Sequence, residues 1–163
     1  MSSSERSVEV VTAVLEHYAT RGIFRGFSPV REKNHQTTYR MVWHRDQGFE
    51  FIVDTAKNTL RIPVVLPNVP ADSEMYAAFK EYVKRRKNQD LPDHRKIDET
   101  KVGIKVFNRA GNVSLTATVL DGDFDYGTRK LVHLVHEIYM DFLMGGRNYD
   151  YLVETFNLDP DGL

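Results

Sequence analysis

Apolar residues first recur at three- and four-residue steps, with Val8, Val11, Leu15 and Tyr18 lining one face of a helix over residues 8–18. The serines at 2–4 are N-cap candidates, Glu5 is spaced from Ser2 for a capping box, and Gly22 offers a stop. The period then shortens to two. Residues 37–44 put Tyr39, Met41 and Trp43 on one side, residues 49–54 put Phe49, Phe51 and Val53 there, and residues 59–66 carry Leu60, Ile62 and Val64. Turns are expected at 45–48 and 55–58, which makes the three strands a meander. Pro63 has no amide hydrogen to donate, so the end of its strand is expected at a sheet edge or a bulge. Residues 24–32 read either as a strand or as a loop, with Gly26 and Pro29 favouring irregularity.

Helical spacing returns with Met75, Phe79, Tyr82 and Val83, capped by Asp72 or Ser73 and closed by Lys84, Arg85, Arg86 and Lys87 at the negative end of the helix dipole. Residues 88–99 are polar, contain Pro92, and are expected to form a mobile surface loop. Two strands, 102–108 and 113–120, flank a tight hairpin turn at 109–112 in which Gly111 is available for positive φ. The acidic loop 121–127 leads to a third helix over 128–144. Its apolar set of Leu131, Leu134, Val135, Ile138, Phe142 and Leu143 is widened by Val132, Tyr139, Met140 and Met144, so it should be the most buried helix. Gly145 and Gly146 end it, and residues 149–156 form a short closing helix with Leu152, Val153 and Phe156 inward.

The order is therefore α-β-β-β-α-β-β-α plus a short C-terminal helix, in a single domain over residues 1–163. Strands joined by hairpins and separated by single helices make an α+β fold, an antiparallel sheet of about five strands with helices on its faces. The core expected from the apolar phase of each element includes Trp43, Phe51, Ile62, Val106, Leu115, Val119, Leu134 and Ile138.

Composition changes this picture little. Nine Phe, eight Tyr and one Trp give enough apolar mass to exclude a disordered chain. The formal net charge of −1 provides no long-range field towards nucleic acid or acidic lipid. The absence of cysteine excludes disulfides, thiolate metal sites and cysteine nucleophiles. No segment is apolar over the roughly 18 residues that a membrane span needs. The first residues lack the basic start and apolar stretch of a secretory signal, so a cytoplasmic protein is expected.

The element order, the amphipathic helix at 8–18, and the strand pair at 102–120 leading into the apolar helix at 131–143 together resemble the YbjN-like family. Members of that family share the fold of type III secretion chaperones. The resemblance implies a small protein-binding or chaperone-like domain, often dimeric, with the second helix at the dimer contact.

Few residues suggest chemistry. Asp121, Asp123 and Asp125 are spaced like the first ligands of a calcium loop, but Tyr126 stands where its glycine belongs and Val132 where its glutamate belongs; a turn that caps the helix is expected instead. His133, His136, Glu137 and Asp141 put two ligand-type residues one turn apart, without the His-Glu-x-x-His order. They are expected to be the polar stripe of a buried helix, with no metal and no cofactor. The basic run Lys80, Lys84, Arg85, Arg86, Lys87, His94, Arg95 and Lys96 is diluted by acids, and a solvated helix end is expected there before a nucleic-acid face. Glu50 and Asp54 share the solvent side of their strand. No Gly-x-Ser-x-Gly elbow and no phosphate-binding glycine loop occurs.

These features point to a non-catalytic module that binds another protein or peptide. The alternatives are an enzyme with a dispersed site, or a nucleic-acid binder using residues 80–96. The apolar surplus of the third helix, together with Phe79, Tyr82 and Val83 on the second, leads us to expect a symmetric dimer.

Overall fold

The computed structural model describes residues 2–88, 90–92, 95–144 and 149–156. Helix α1 (Ser3–Thr20) starts where Ser2 accepts a hydrogen bond from the Glu5 amide at 3.1 Å, and the chain leaves it through Gly22 at φ 78°. Strands β1 (Arg25–Lys33), β2 (Gln36–Val42), β3 (Gly48–Asp54) and β4 (Thr59–Leu66) follow, then α2 (Glu74–Arg85), β5 (Val102–Arg109), β6 (Asn112–Val119) and α3 (Phe124–Glu137). Helix α4 (Tyr149–Phe156) closes the order. Ser73 caps α2 by accepting from the Tyr76 amide, and Asp123 caps α3 by accepting from the Tyr126 amide.

The sheet is antiparallel throughout, with strand order β1-β2-β3-β4-β6-β5. It has six strands where about five were expected, because residues 25–33 form an edge strand. That edge tolerates Gly26 at φ 63° and Pro29 through two register shifts, and proline is admissible there because no outer neighbour needs its amide. Pro63 lies inside the irregularity between Ile62 and Leu66 of β4, as its missing donor requires.

The helices lie on one face of this sheet and close a single core. Of the eight expected core residues, all are buried except Val106, which is partly buried against the cluster. Helix α3 packs tightly on the sheet at Gly127, where an added Cβ would stand 3.0 Å from Val119 Cγ2 and 3.2 Å from Leu60 Cδ1. Beyond Glu137 the helix widens into a π-helical turn, Ile138–Phe142, with the Leu143 amide bonded to the Ile138 carbonyl at 2.8 Å. The buried residues Ile138, Tyr139, Phe142 and Leu143 confirm the broad apolar face expected of this segment, whereas Met140 and Met144 face solvent. Gly145, Gly146 and the inward side chains expected of Leu152, Val153 and Phe156 lie outside the described residues. Among the described residues, no helix is long and apolar enough to cross a membrane.

Candidate functional site

Two features of this architecture are candidates for function: a charged cleft between α3 and the segment that follows α2, and the sheet face that carries no helix.

The cleft is organised by Glu137. Its Oε2 accepts from Arg86 Nη1 at 2.7 Å and from Arg95 Nε and Nη2 at 3.3 Å each. Arg86 is 8% exposed, and its guanidinium lies 4.5 Å from the ring centroid of Tyr82. The loop after α2 is drawn back over it, with the Ile97 amide donating to the Arg86 carbonyl at 2.8 Å. Tyr82 donates to Asp141 Oδ2 at 2.9 Å and to the Glu137 carbonyl at 3.3 Å, beside the π-helical turn. Burial, then the bond to Asp141, pushes the Tyr82 phenol well above its usual range, so this hydroxyl acts as a fixed donor. His133 Nε2 sits 3.3 Å from the Tyr18 hydroxyl; desolvation and then the Lys130 charge hold the ring below the usual histidine range. A cleft of about 330 Å³ is lined by Arg95, His133, His136 and Glu137. Beneath it a narrow void of about 10 Å³ is lined by Arg86, Arg95, Lys130, His133 and Glu137 among others.

His133, His136, Glu137 and Asp141 are thus brought to one edge, but the carboxylates are engaged by arginine and tyrosine donors. Among the described residues no cluster of three or more His, Cys, Asp and Glu can hold a metal ion. Asp121 and Asp123 both bind Lys101 Nζ, at 2.8 and 3.0 Å, while Asp125 pairs with Arg129 at 2.6 Å. An ammonium therefore occupies the position a calcium loop would give to its cation. The basic run is also divided. Arg86 and Arg95 turn to Glu137, Lys87 reaches Glu99 at 3.8 Å, and Lys80 sits over the Tyr76 ring at 4.7 Å. His94 lies outside the described residues.

Phe79, Tyr82 and Val83, expected as a self-association surface, are 0%, 5% and 3% exposed. The chain itself covers them: the Phe142 ring packs at 5.6 Å from Phe79 and 5.3 Å from Tyr82. The surplus apolar width of the third helix is used within the chain except at Met140 and Met144, and Phe79, Tyr82 and Val83 present almost no surface to a second copy.

Sequence pattern missed His44, which follows β2. Its ring stacks on Tyr139 at 4.6 Å and 2°, contacts Trp43 at 4.8 Å, and faces His136 at 5.3 Å. Burial, then the neighbouring cations, push its pKa down to about 4, and its Nε2 is buried without a partner.

The uncovered face is built by register. One row runs Arg31, Thr38, Ile52, Arg61, Thr116 and Lys105 across all six strands. The next runs Lys33, Gln36, Asp54, Thr59, Thr118 and Gly103. Arg40 and Glu50 lie on its other side, where Phe107 pairs with Ser114 beside the β4 irregularity that contains Val64. Glu50 pairs with Arg40 at 3.7 Å and Arg31 at 4.0 Å. Asp54 is taken up by its own turn, accepting from the Ala56 and Lys57 amides at 3.0 Å each. Arg61 and Lys105 are exposed, Phe107 is 53% exposed and Val64 37%.

Comparison of the chain with family models, with curated proteins and with solved structures finds no match.

Proposed function

We propose that the protein is a non-catalytic binding module whose uncovered sheet face docks an acidic segment of another protein. The observation that carries this reading is the charge of that face. Arg31, Lys33, Arg40, Arg61 and Lys105 stand against Glu50 and Asp54, and both carboxylates are already engaged. Exposed cations beside the apolar corner of Phe107 and Val64 suit a partner that offers carboxylates next to an apolar side chain. A single-stranded nucleic acid would call for aromatic stacking platforms among the cations, and Phe107 is the one aromatic in these rows. The element order that resembles the YbjN-like family supports the same protein-binding reading.

Cross-linking from the ammonium of Lys105 in the native cell tests this directly. Links from Lys105 to an acidic segment of another chain are expected, whereas links only from Lys84 on the helical side contradict it. A second copy of this chain is the competing occupant of the apolar corner. A mass near 18.8 kDa by light scattering at micromolar concentration removes it, and a doubled mass establishes it.

A further inference from the structure

We propose that the acidic partner binds as an added β-strand along the outer edge of β5, which rests on the sheet-face docking proposed above and specifies how that face is engaged. The sheet ends in two edge strands, β1 and β5. β1 carries Pro29, Gly26 at φ 63° and two register shifts, features that keep another chain from pairing with an edge. β5 has none of them. It pairs with β6 at eight consecutive positions, Val102 to Arg109, without a shift or a proline. The two-residue turn at 110–111 makes Arg109 and Asn112 a hydrogen-bonded pair, so Gly103, Lys105 and Phe107 also bond to β6, and the main chains of Ile104 and Val106 point outward. At the start of the strand the Asp98 carbonyl takes the Val102 amide at 3.0 Å, but no hydrogen bond from a described residue reaches Ile104 or Val106 on that side.

Charge decides which strand fits. β4, β6 and β5, which make this end of the sheet, contain Arg61, Lys105 and Arg109 and no carboxylate. Lys105 and Arg109 are exposed and lie on the uncovered face with Phe107 between them. Among the described residues, neither has an ion-pair partner. A strand added about 4.8 Å from β5 sets alternate side chains beside Lys105, Phe107 and Arg109, which suits a carboxylate, an apolar group and a second carboxylate. The residues between them continue the row of Ile104 and Val106 on the helical face, where apolar side chains fit. A second β5 would bring its own Lys105 and Arg109 to the same face, cation beside cation, and a lysine on an edge deters such pairing.

The test titrates a labelled peptide with the core Glu-Val-Phe-Val-Glu into the full chain by fluorescence anisotropy, and follows amide hydrogen exchange by NMR. Saturable binding is expected, with the Ile104 and Val106 amides protected only in the complex. N-methylation of one alternate set of peptide amides should abolish binding, and of the other set leave it intact. Lys105→Glu should weaken it about tenfold, and Lys84→Glu should not change it. Binding that Lys105→Glu weakens, but that leaves both amides unprotected and survives either N-methylation, overturns the added strand and leaves the sheet-face docking standing. Binding that is absent, or equal in wild type and Lys105→Glu, overturns both. Protection of the two amides without peptide, together with a doubled mass, gives the edge to a second copy and overturns the proposal.

Discussion

Arg86 and Glu137 meet at 2.7 Å across the contact of α2 with α3, with 9% and 17% of their side chains exposed. A buried pair of this kind ties two elements together and adds little net stability, because the desolvation of both charges offsets their attraction. Losing one partner is another matter. Glu137→Gln should cost about 3 kcal/mol in urea unfolding, since Arg86 is left buried beside a neutral amide. Replacing both, as Arg86→Met with Glu137→Leu, should cost less than the single change. If the double substitution costs the sum of the two singles, the pair is not coupled.

His44 sets an acid limit on the fold. Its folded pKa, about 4, lies below the ordinary value of 6.5, so the unfolded chain binds the proton more readily. The contribution is fully present above about pH 6.5 and is lost as pH falls towards 4. Discounted for the solvent that reaches the ring, it should amount to about 1–2 kcal/mol. His44→Phe keeps the stack on Tyr139 and should flatten the stability profile across that window, measured by urea unfolding at several pH values.

The β5–β6 hairpin turns through Ala110 at φ 53° and Gly111 at φ 87°. An alanine in the left-handed region is strained, and asparagine tolerates it better. Ala110→Asn should therefore raise stability by roughly 0.5–1 kcal/mol. A loss of stability would show that the turn differs from this geometry.

Gly127 is where α3 touches the sheet. The Cβ of a valine there would stand 3.0 Å from Val119 Cγ2 and 3.2 Å from Leu60 Cδ1, so both neighbours would have to give way by a few tenths of an ångström. Gly127→Val should cost about 2 kcal/mol by overpacking. An unchanged thermal midpoint would mean that α3 does not approach β4 and β6 this closely.

Much of the fold was legible because buried faces leave a period in the chain. Val11, Leu15 and Tyr18 at helical steps and Phe49, Phe51 and Val53 at alternate positions each lie in the core. Residues 25–33 were ambiguous because an edge strand exposed along most of its length carries almost no apolar alternation. The left-handed backbone of the β2–β3 connection was also hidden. Positive φ falls on Arg45 and Asp46, at 56° and 55°, whereas Gly48, the last residue of the expected turn, begins β3.

The site was less legible still. Arg86 sits in a run of four cations, so its burial depends on Glu137, 51 residues away. The uncovered face needs the strand order, because Arg61 and Lys105 become neighbours of Thr116 only when β6 pairs with both β4 and β5. The polar residues Thr38, Thr116 and Thr118 read as ordinary solvent-side positions until the register lines them up.

The most direct measurement of the binding account is a paired affinity capture from the native cell, with the recovered proteins quantified by mass spectrometry. Wild type is compared with Arg61→Glu/Lys105→Glu, which reverses the charge of the uncovered face, and with Lys84→Glu/Arg85→Glu on the exposed end of α2. Thermal midpoints should stay close together, because each change is at a surface position. An acidic partner is expected that wild type and the α2 variant retain, even after nuclease treatment, and that the sheet-face variant loses at least tenfold. Equal recovery by all three proteins, or capture that vanishes with nuclease, would contradict it.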